Sequence, residues 1–278
     1  MNISQARVLV TGASGGIGAA IVAEIVRGGG QVLASGRDEE SLQRLARTLD
    51  PDGAAIAVHV ADITREVDRR KLAAAASAWH GGVNVLINNA GVAAFAMVAD
   101  TDPEEMERAF AVNALAPMQL CRSLLPHLKR QPRAHILNIG SVFGAIGYPG
   151  HATYCATKFA LRGFSEALRR ELGDTNVRVQ YLAPRATRTR FNCNAVEALN
   201  AQLGVAMDAP ERVALSVRRM LETEQSDAVI GWPEKLFARI NAVLPRLVDR
   251  ALAKQLHAIE QSAGAAALPV QTLSRKAS

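Results

Sequence analysis

The sequence predicts a doubly wound α/β fold, a single parallel sheet of about seven strands with helices on both faces. Two observations carry this expectation. Short, fully apolar runs alternate with longer segments of helical period, the pattern of strands buried on both faces between crossover helices. The first apolar run also passes through a glycine-rich turn straight into a helix, in the stretch VLVTGASGGIG at 8–18. Right-handed crossovers then wind the sheet in two directions.

Taken in order, 8–11 is the first strand and 17–27 the first helix. Between them Gly12, Gly16 and Gly18 follow G-x-x-x-G-x-G spacing, which allows a tight turn and the close approach of a phosphate at a helix N-terminus. Gly12, Ser14, Gly16, Ile17 and Gly18 therefore form a candidate nucleotide-binding loop. The second strand, 31–35, ends in LASGRDEE before a helix at 39–48. An acidic residue about 20 positions past the glycines would suit a ribose 2′-hydroxyl. Here Arg37 follows Gly36 instead, and its forked guanidinium suits a 2′-phosphate, which favours NADP (NADPH) over NAD. The plainer alternative is that Arg37 pairs with Asp38, Glu39 or Glu40. Strands are then expected at 54–60, 83–88, 135–139, 177–182 and 228–230, with helices at 66–79, 103–128 and 153–171.

With 49% apolar and 21% charged residues, the chain can bury a sizeable core. No apolar run reaches the roughly 18 residues needed to span a bilayer, and the N-terminal residues predict no signal peptide. Cys121, Cys155 and Cys193 are odd in number and widely spaced, without metal or disulfide spacing, as suits a reducing cytoplasm. The formal charge of +6 is dispersed rather than interleaved with aromatics, so no nucleic acid is expected as a partner.

The pair Tyr154 and Lys158 in YCATK puts a phenol and an ammonium one helical turn apart. A nearby cation favours phenolate and should draw the phenol down from its ordinary range near 10 toward one useful for proton exchange. Ser141, in LNIGSVFG, follows a strand's carboxyl end, where it can hold a substrate oxygen or merely cap a turn. Asn113 lies inside a long helical segment, where asparagine is a poor helix former. Tyr148 and His151 precede the tyrosine-bearing helix and can face substrate or the surface. His59, His80, His127 and His135 have no partners at catalytic spacing.

Together TGASGGIG at 11–18, AD at 61–62, NNAG at 88–91, Asn113, Ser141 and the Tyr154/Lys158 pair resemble the short-chain dehydrogenase/reductase family over about residues 5–232. The resemblance implies a Rossmann-type fold, a nicotinamide cofactor and a catalytic tetrad of Asn113, Ser141, Tyr154 and Lys158. It implies that Asp62 contacts the adenine, that Asn89, Ala90 and Gly91 line the adenine ribose side, and that Thr187 reaches the nicotinamide carboxamide. It gives Asn113 a water to anchor and Lys158 the nicotinamide ribose hydroxyls to hold, and it implies a dimer or tetramer through the segments at 103–128 and 153–171. The expected reaction interconverts a ketone and a secondary alcohol, with an apolar or acyl-type carbonyl substrate. A catalytically silent nucleotide sensor or scaffold with the same fold is the alternative. LAPRAT at 182–187 departs from the family where Arg185 stands in place of the usual glycine. That arginine can bind an acidic substrate group or a cofactor phosphate, or turn to solvent.

The domain core is thus placed at 1–232, with a polar, Asn-rich candidate lid at 188–209. From Pro233, residues Leu236, Phe237, Ile240, Val243, Leu244, Leu247, Val248 and Leu252 give an apolar stripe at helical spacing with basic flanks, interrupted by Pro245. This extension, 233–262, packs over the substrate pocket or another subunit, or its 233–255 stretch makes peripheral membrane contact. A cytoplasmic location is expected, with the inner face of a membrane as its variant. The tail, 263–278, reads as frayed or disordered.

Overall fold

Residues 1–267 are described by a computed structural model of the chain. Strands β1 (Arg7–Thr11), β2 (Gln31–Gly36), β3 (Ile56–Val60), β4 (Val85–Asn88), β5 (Ala134–Ile139), β6 (Val177–Ala183) and β7 (Asp227–Val229) form one sheet. They pair in the order β3-β2-β1-β4-β5-β6-β7, every pair parallel. The helices are α1 (Gly16–Arg27), α2 (Glu39–Leu49), α3 (Glu66–Ala78), α4 (Pro103–Phe110), α5 (Ala116–Leu128), α6 (Ala152–Glu171), α7 (Asn194–Gln202) and α8 (Pro210–Thr223). After the last strand come α9 (Glu234–Val243), α10 (Pro245–Ala253) and α11 (Leu256–Ala267).

Two-residue periodicity explains why this sheet has two cores. Val8, Val10, Val32 and Ile87 point to one face, where Ile21 and Ile25 of α1, Leu42 of α2 and Val213 and Val217 of α8 cover them. Leu9, Leu33, Leu86 and Ile136 point to the other, under Leu72 of α3, Leu120 and Leu124 of α5 and Leu168 of α6. Because both faces are buried, the strands read as unbroken apolar runs, and all seven lie close to their expected positions.

The helices differ more. Residues 103–128, expected as one helix, contain a π-turn at Ala111–Leu115 between α4 and α5. One extra residue in that turn breaks the usual hydrogen-bond ladder, a device common at functional sites. Helices α7, α8 and α11 were not foreseen. Helix α8 carried recognisable signals, with Pro210 in its first turn and Val213, Val217 and Met220 buried at helical spacing. The proline at 245 does divide the C-terminal stripe, separating α9 from α10. Of the tail expected to be frayed, residues 263–267 belong to α11, and 268–278 lie outside the described residues. No helix among the described residues is long and apolar enough to cross a membrane. The cysteines are unpaired, with Cys121 and Cys155 buried and Cys193 exposed.

A buried polar line stitches α6 to the sheet. Asn88 Nδ2 donates to Asn138 Oδ1 at 2.8 Å, Asn138 Nδ2 donates to Ser165 Oγ at 2.8 Å, and Ser165 Oγ donates to the Leu161 carbonyl at 2.7 Å. Asn138→Ala breaks the line in its middle and removes one buried hydrogen bond each from Asn88 and Ser165. An unfolding free energy lower by about 2 kcal/mol is expected in a urea titration, since two buried hydrogen bonds are lost and each contributes about 0.5–1.5 kcal/mol.

Candidate active site

Strand order reverses between β1 and β4, which opens a crevice at the carboxyl ends of the strands. The glycine turn lies at that point. Gly12 sits at φ +64°, and a Cβ there would lie 2.8 Å from the Ala90 Cα. At Gly18 a Cβ would lie 2.0 Å from the Gly12 carbonyl oxygen, so no side chain fits between turn and helix. Asn89 fixes the arrangement: its Nδ2 donates to the carbonyls of Thr11 and Gly12, both at 3.0 Å. The buried Thr11 hydroxyl accepts from the Asn89 and Ala90 amides at 3.1 and 3.2 Å. A Cβ on Gly15, by contrast, would meet nothing within 4 Å, and Gly12, Gly15, Gly16 and Ile17 line the main cavity. An open glycine turn at the N-terminus of α1 fits a phosphate-bearing dinucleotide. Thr11 is the residue that sequence reasoning passed over, although it directly precedes the first glycine.

Farther along the same edge of the sheet, Ser14 lies against the end of β2, its Oγ 3.6 Å from where a Gly36 Cβ would be. Arg37 is exposed and forms no ion pair among the described residues. Two of its acidic neighbours are engaged elsewhere: Asp38 caps α2 by accepting from the Ser41 amide at 3.1 Å, and Glu40 pairs with Arg44. Asp62, after β3, accepts from the Thr64 hydroxyl and amide at 2.6 and 2.9 Å. Burial works to raise the Asp62 carboxyl, but the Thr64 bonds and the cations of Arg37 and Arg65 outweigh it and hold the group below the usual carboxylate range.

Helix α6 carries Tyr154 and Lys158 on one side, with Lys158 Nζ 5.6 Å from the centre of the phenol ring. The ammonium donates to the Ile139 carbonyl at 3.1 Å, and burial pushes Lys158 down to about 8. The phenol moves the opposite way from expectation. Burial raises Tyr154 above the ordinary tyrosine range, with the Ser141 hydroxyl working against the rise. Dry walls thus set the direction for the phenol, while the neighbouring ammonium gives its hydrogen bond to the strand. Ser141 Oγ also accepts from the Phe143 amide at 3.1 Å, so it caps the turn at Val142–Gly144 while facing the cavity.

Asn113 occupies the π-turn, and protein groups hold both ends of its side-chain amide. Its Oδ1 accepts from the Val92 amide at 2.8 Å, and its Nδ2 donates to the Val92 carbonyl at 2.9 Å and to Thr157 Oγ1 at 3.2 Å. It clamps the loop following Gly91 to α6. Thr187 lines the cavity, its hydroxyl donating to the Arg185 carbonyl at 2.9 Å.

Tyr154, Lys158, Ser141 and the glycine turn share one cavity of about 740 Å³. Beyond Tyr154 its wall is aromatic: Phe143 stacks on Tyr148 at 5.0 Å, and His151 lies 5.2 Å from Phe143 and 6.3 Å from Tyr154. Tyr148 and His151 thus face the cavity rather than the surface, and burial pushes His151 down to about 4. His127 and His135 are structural, bonded to the Val83 carbonyl and to Gln180 at 2.9 Å each. The cavity's outer side is lined by the 188–209 segment and by the C-terminal extension. Phe191 packs edge-on against Tyr154 at 5.9 Å, and Phe237, Val248 and Leu252 complete the wall. Gln255 Oε1 accepts from the Tyr148 hydroxyl at 2.9 Å, and Asn241 donates to the Ala145 carbonyl at 2.9 Å. One face of the extension therefore packs over the pocket.

Arg185 does not turn to solvent but lines the cavity, held in a cluster of charges. It grips Asp208 with two hydrogen bonds of 2.9 and 3.0 Å and reaches Glu234 at 3.4 Å. Arg212 also bonds Asp208 at 2.9 Å. The arginine is thereby a clasp between the strand end, the far end of the 188–209 segment and the first turn of α9.

This fold and site define an NAD(P)-dependent oxidoreductase. The short-chain dehydrogenase family matches residues 6–200, and the chain belongs to that family. It is 32% identical over 256 residues to an uncharacterized oxidoreductase, YxnA, of Bacillus subtilis, covering 90% of this chain and 72% of that protein. A short-chain dehydrogenase from Sphingobium yanoikuyae in complex with NADPH is 25% identical with a TM-score of 0.73, covering 98% and 99% of the two chains. A Burkholderia phymatum member of the family in complex with NAD shares the fold, with a TM-score of 0.81 at 22% identity over 89% of this chain and 96% of that one.

The clasp makes a measurable claim. Asp208 and Arg185 side chains are only 4% and 11% exposed, so Arg185→Ala leaves a buried carboxylate with Arg212 alone. Stability should fall by about 2 kcal/mol, short of the ~3–5 kcal/mol seen when a buried ion loses its only partner. Limited proteolysis within 188–209 should accelerate in the same variant.

Proposed function

We propose that this enzyme is an NADPH-dependent reductase of apolar ketones, working in either direction between ketone and secondary alcohol. The observation that carries the proposal is the single cavity shared by the glycine turn, Ser141, Tyr154 and Lys158. A bound NADPH supplies the hydride. The glycine turn and the Asn89–Gly91 stretch hold the dinucleotide, Arg37 and Ser14 take its 2′-phosphate, and Thr187 lies beside the nicotinamide.

In this reading Ser141 holds the carbonyl oxygen of the substrate, and Tyr154 gives that oxygen its proton. Burial favours this direction, because a phenol held above its ordinary range keeps its proton until an oxygen acquiring negative charge arrives. The cation of Lys158 then stabilises the phenolate left behind, where low polarity strengthens the attraction. Asn113 acts at one remove, keeping α6 in place against the loop after Gly91. Phe143, Tyr148, His151, Phe237 and Leu252 surround the space beyond Tyr154 with mainly apolar surface, which suits a ring or lipid-like ketone or an acyl-type carbonyl.

Tyr154→Phe should lower kcat/KM for ketone reduction about thousandfold with NADPH affinity within about threefold of the parent, the scale of a lost general acid. Unchanged turnover in that variant would end the proposal, and absence of turnover in the parent over a broad ketone panel would favour a sensor or scaffold. Activity should prefer NADPH to NADH by about tenfold or more, and Arg37→Ala should erase most of that preference, as expected for a charge-assisted contact. In the free enzyme Lys158 is charged below about 8, so kcat/KM should hold steady at lower pH and decline above it. Lys158→Arg, which retains its charge, should carry the plateau to higher pH.

A further inference from the structure

We infer that the junction of α9 and α10 is a docking surface for an anionic lipid bilayer. The geometry begins with Pro245, which has no amide hydrogen to continue α9 and instead opens α10. The chain bends there and displays aliphatic side chains to water: Val243 is 77% exposed, Leu244 55% and Leu247 52%. Leu236, seven positions before Val243, shares its stripe on α9 and is exposed as well. These side chains are not spare pocket lining. Val248 and Leu252 of α10 turn inward to the cavity, while Val243, Leu244 and Leu247 lie outside its wall.

Charge decides what such a tip can meet. Lys235, Arg239, Arg246, Arg250 and Lys254 stand on these two helices and the residue after them, against only Glu234 and Asp249. Glu234 is already bound to Arg185. Arg239, Arg246, Arg250 and Lys254 are exposed and make no ion pair among the described residues. A second copy docked through this tip about a twofold axis would bring two faces of the same positive charge together. Nucleic acid would answer the cations but offer nothing to three adjacent aliphatic tips. A bilayer with anionic headgroups answers both, with the aliphatic tip at the acyl boundary and the cations over the phosphates.

The test uses the whole chain and vesicles of phosphatidylcholine, alone or mixed with phosphatidylglycerol, with bound protein read by sedimentation. Anionic vesicles should retain at least about tenfold more protein than neutral ones at low salt, and added salt should release it as headgroup attraction is screened. Leu244→Glu with Leu247→Glu, and separately Arg246→Glu with Arg250→Glu, should each cut retention about tenfold. NADPH affinity and melting temperature should remain at parental values in both, because none of these residues lines the cavity. Equal retention by the two vesicle types, no retention by either, or parental retention in the variants overturns the inference. So does loss of an oligomer in the leucine variant without any vesicle uptake by the parent, which would make this face a contact between copies. Binding of the parent to duplex DNA without vesicle uptake would overturn it in favour of nucleic acid.

Discussion

Everything functional in this chain rests on how closely two loops approach. The turn after β1 and the Asn89–Gly91 stretch after β4 touch because Gly12 has no side chain to strike Ala90, and because α1 enters with no side chain at Gly18. Once they are in contact, the Asn89 amide group and the Thr11 hydroxyl convert proximity into a fixed hydrogen-bonded unit. The start of α1 is thereby left on the crevice, with Gly15, Gly16 and Ile17 lining it. The sheet supplies the place, since strand order reverses there, and the glycines supply the access.

A second tension runs through α6. Burial drives the Lys158 ammonium down and the Tyr154 phenol up, each toward its neutral form. A dry site resists separated charge, yet the same dryness strengthens any charge pair that forms in it. The polar line through Asn138 and Ser165, and the clamp of Asn113 on Thr157, hold the helix that carries both groups. The rigidity of the site is therefore built beneath it, in residues that never line the cavity.

What the sequence revealed, and what it hid, divides along physical lines. Strands buried on both faces leave an unmistakable trace, so Val8–Val10 and Val85–Ile87 were readable at once. The glycine spacing and the four-residue separation of Tyr154 and Lys158 were equally plain, because each is a local constraint. Roles set by distant partners were not. Arg185 looked free for an anion because Asp208 and Glu234 lie 23 and 49 positions away. The clamp of Asn113 was hidden because its partner Val92 lies 21 positions earlier. The π-turn escaped because helical periodicity cannot register one extra residue in a turn. Burial misled the reading of Tyr154, since spacing reports the cation beside the phenol but not the dryness around both.

The clasp at Arg185 has a consequence for anyone exchanging parts among relatives. Substrate range in such a scaffold invites grafting of foreign terminal helices onto a conserved nucleotide half. Here a graft lacking an acid at position 234 would cut one of three tethers, and a glycine restored at 185 would leave Asp208 and Glu234 without their common counterion. Position 185, the end of the lid and the first turn of the terminal helices form one inheritable module, transferable whole and poorly in pieces.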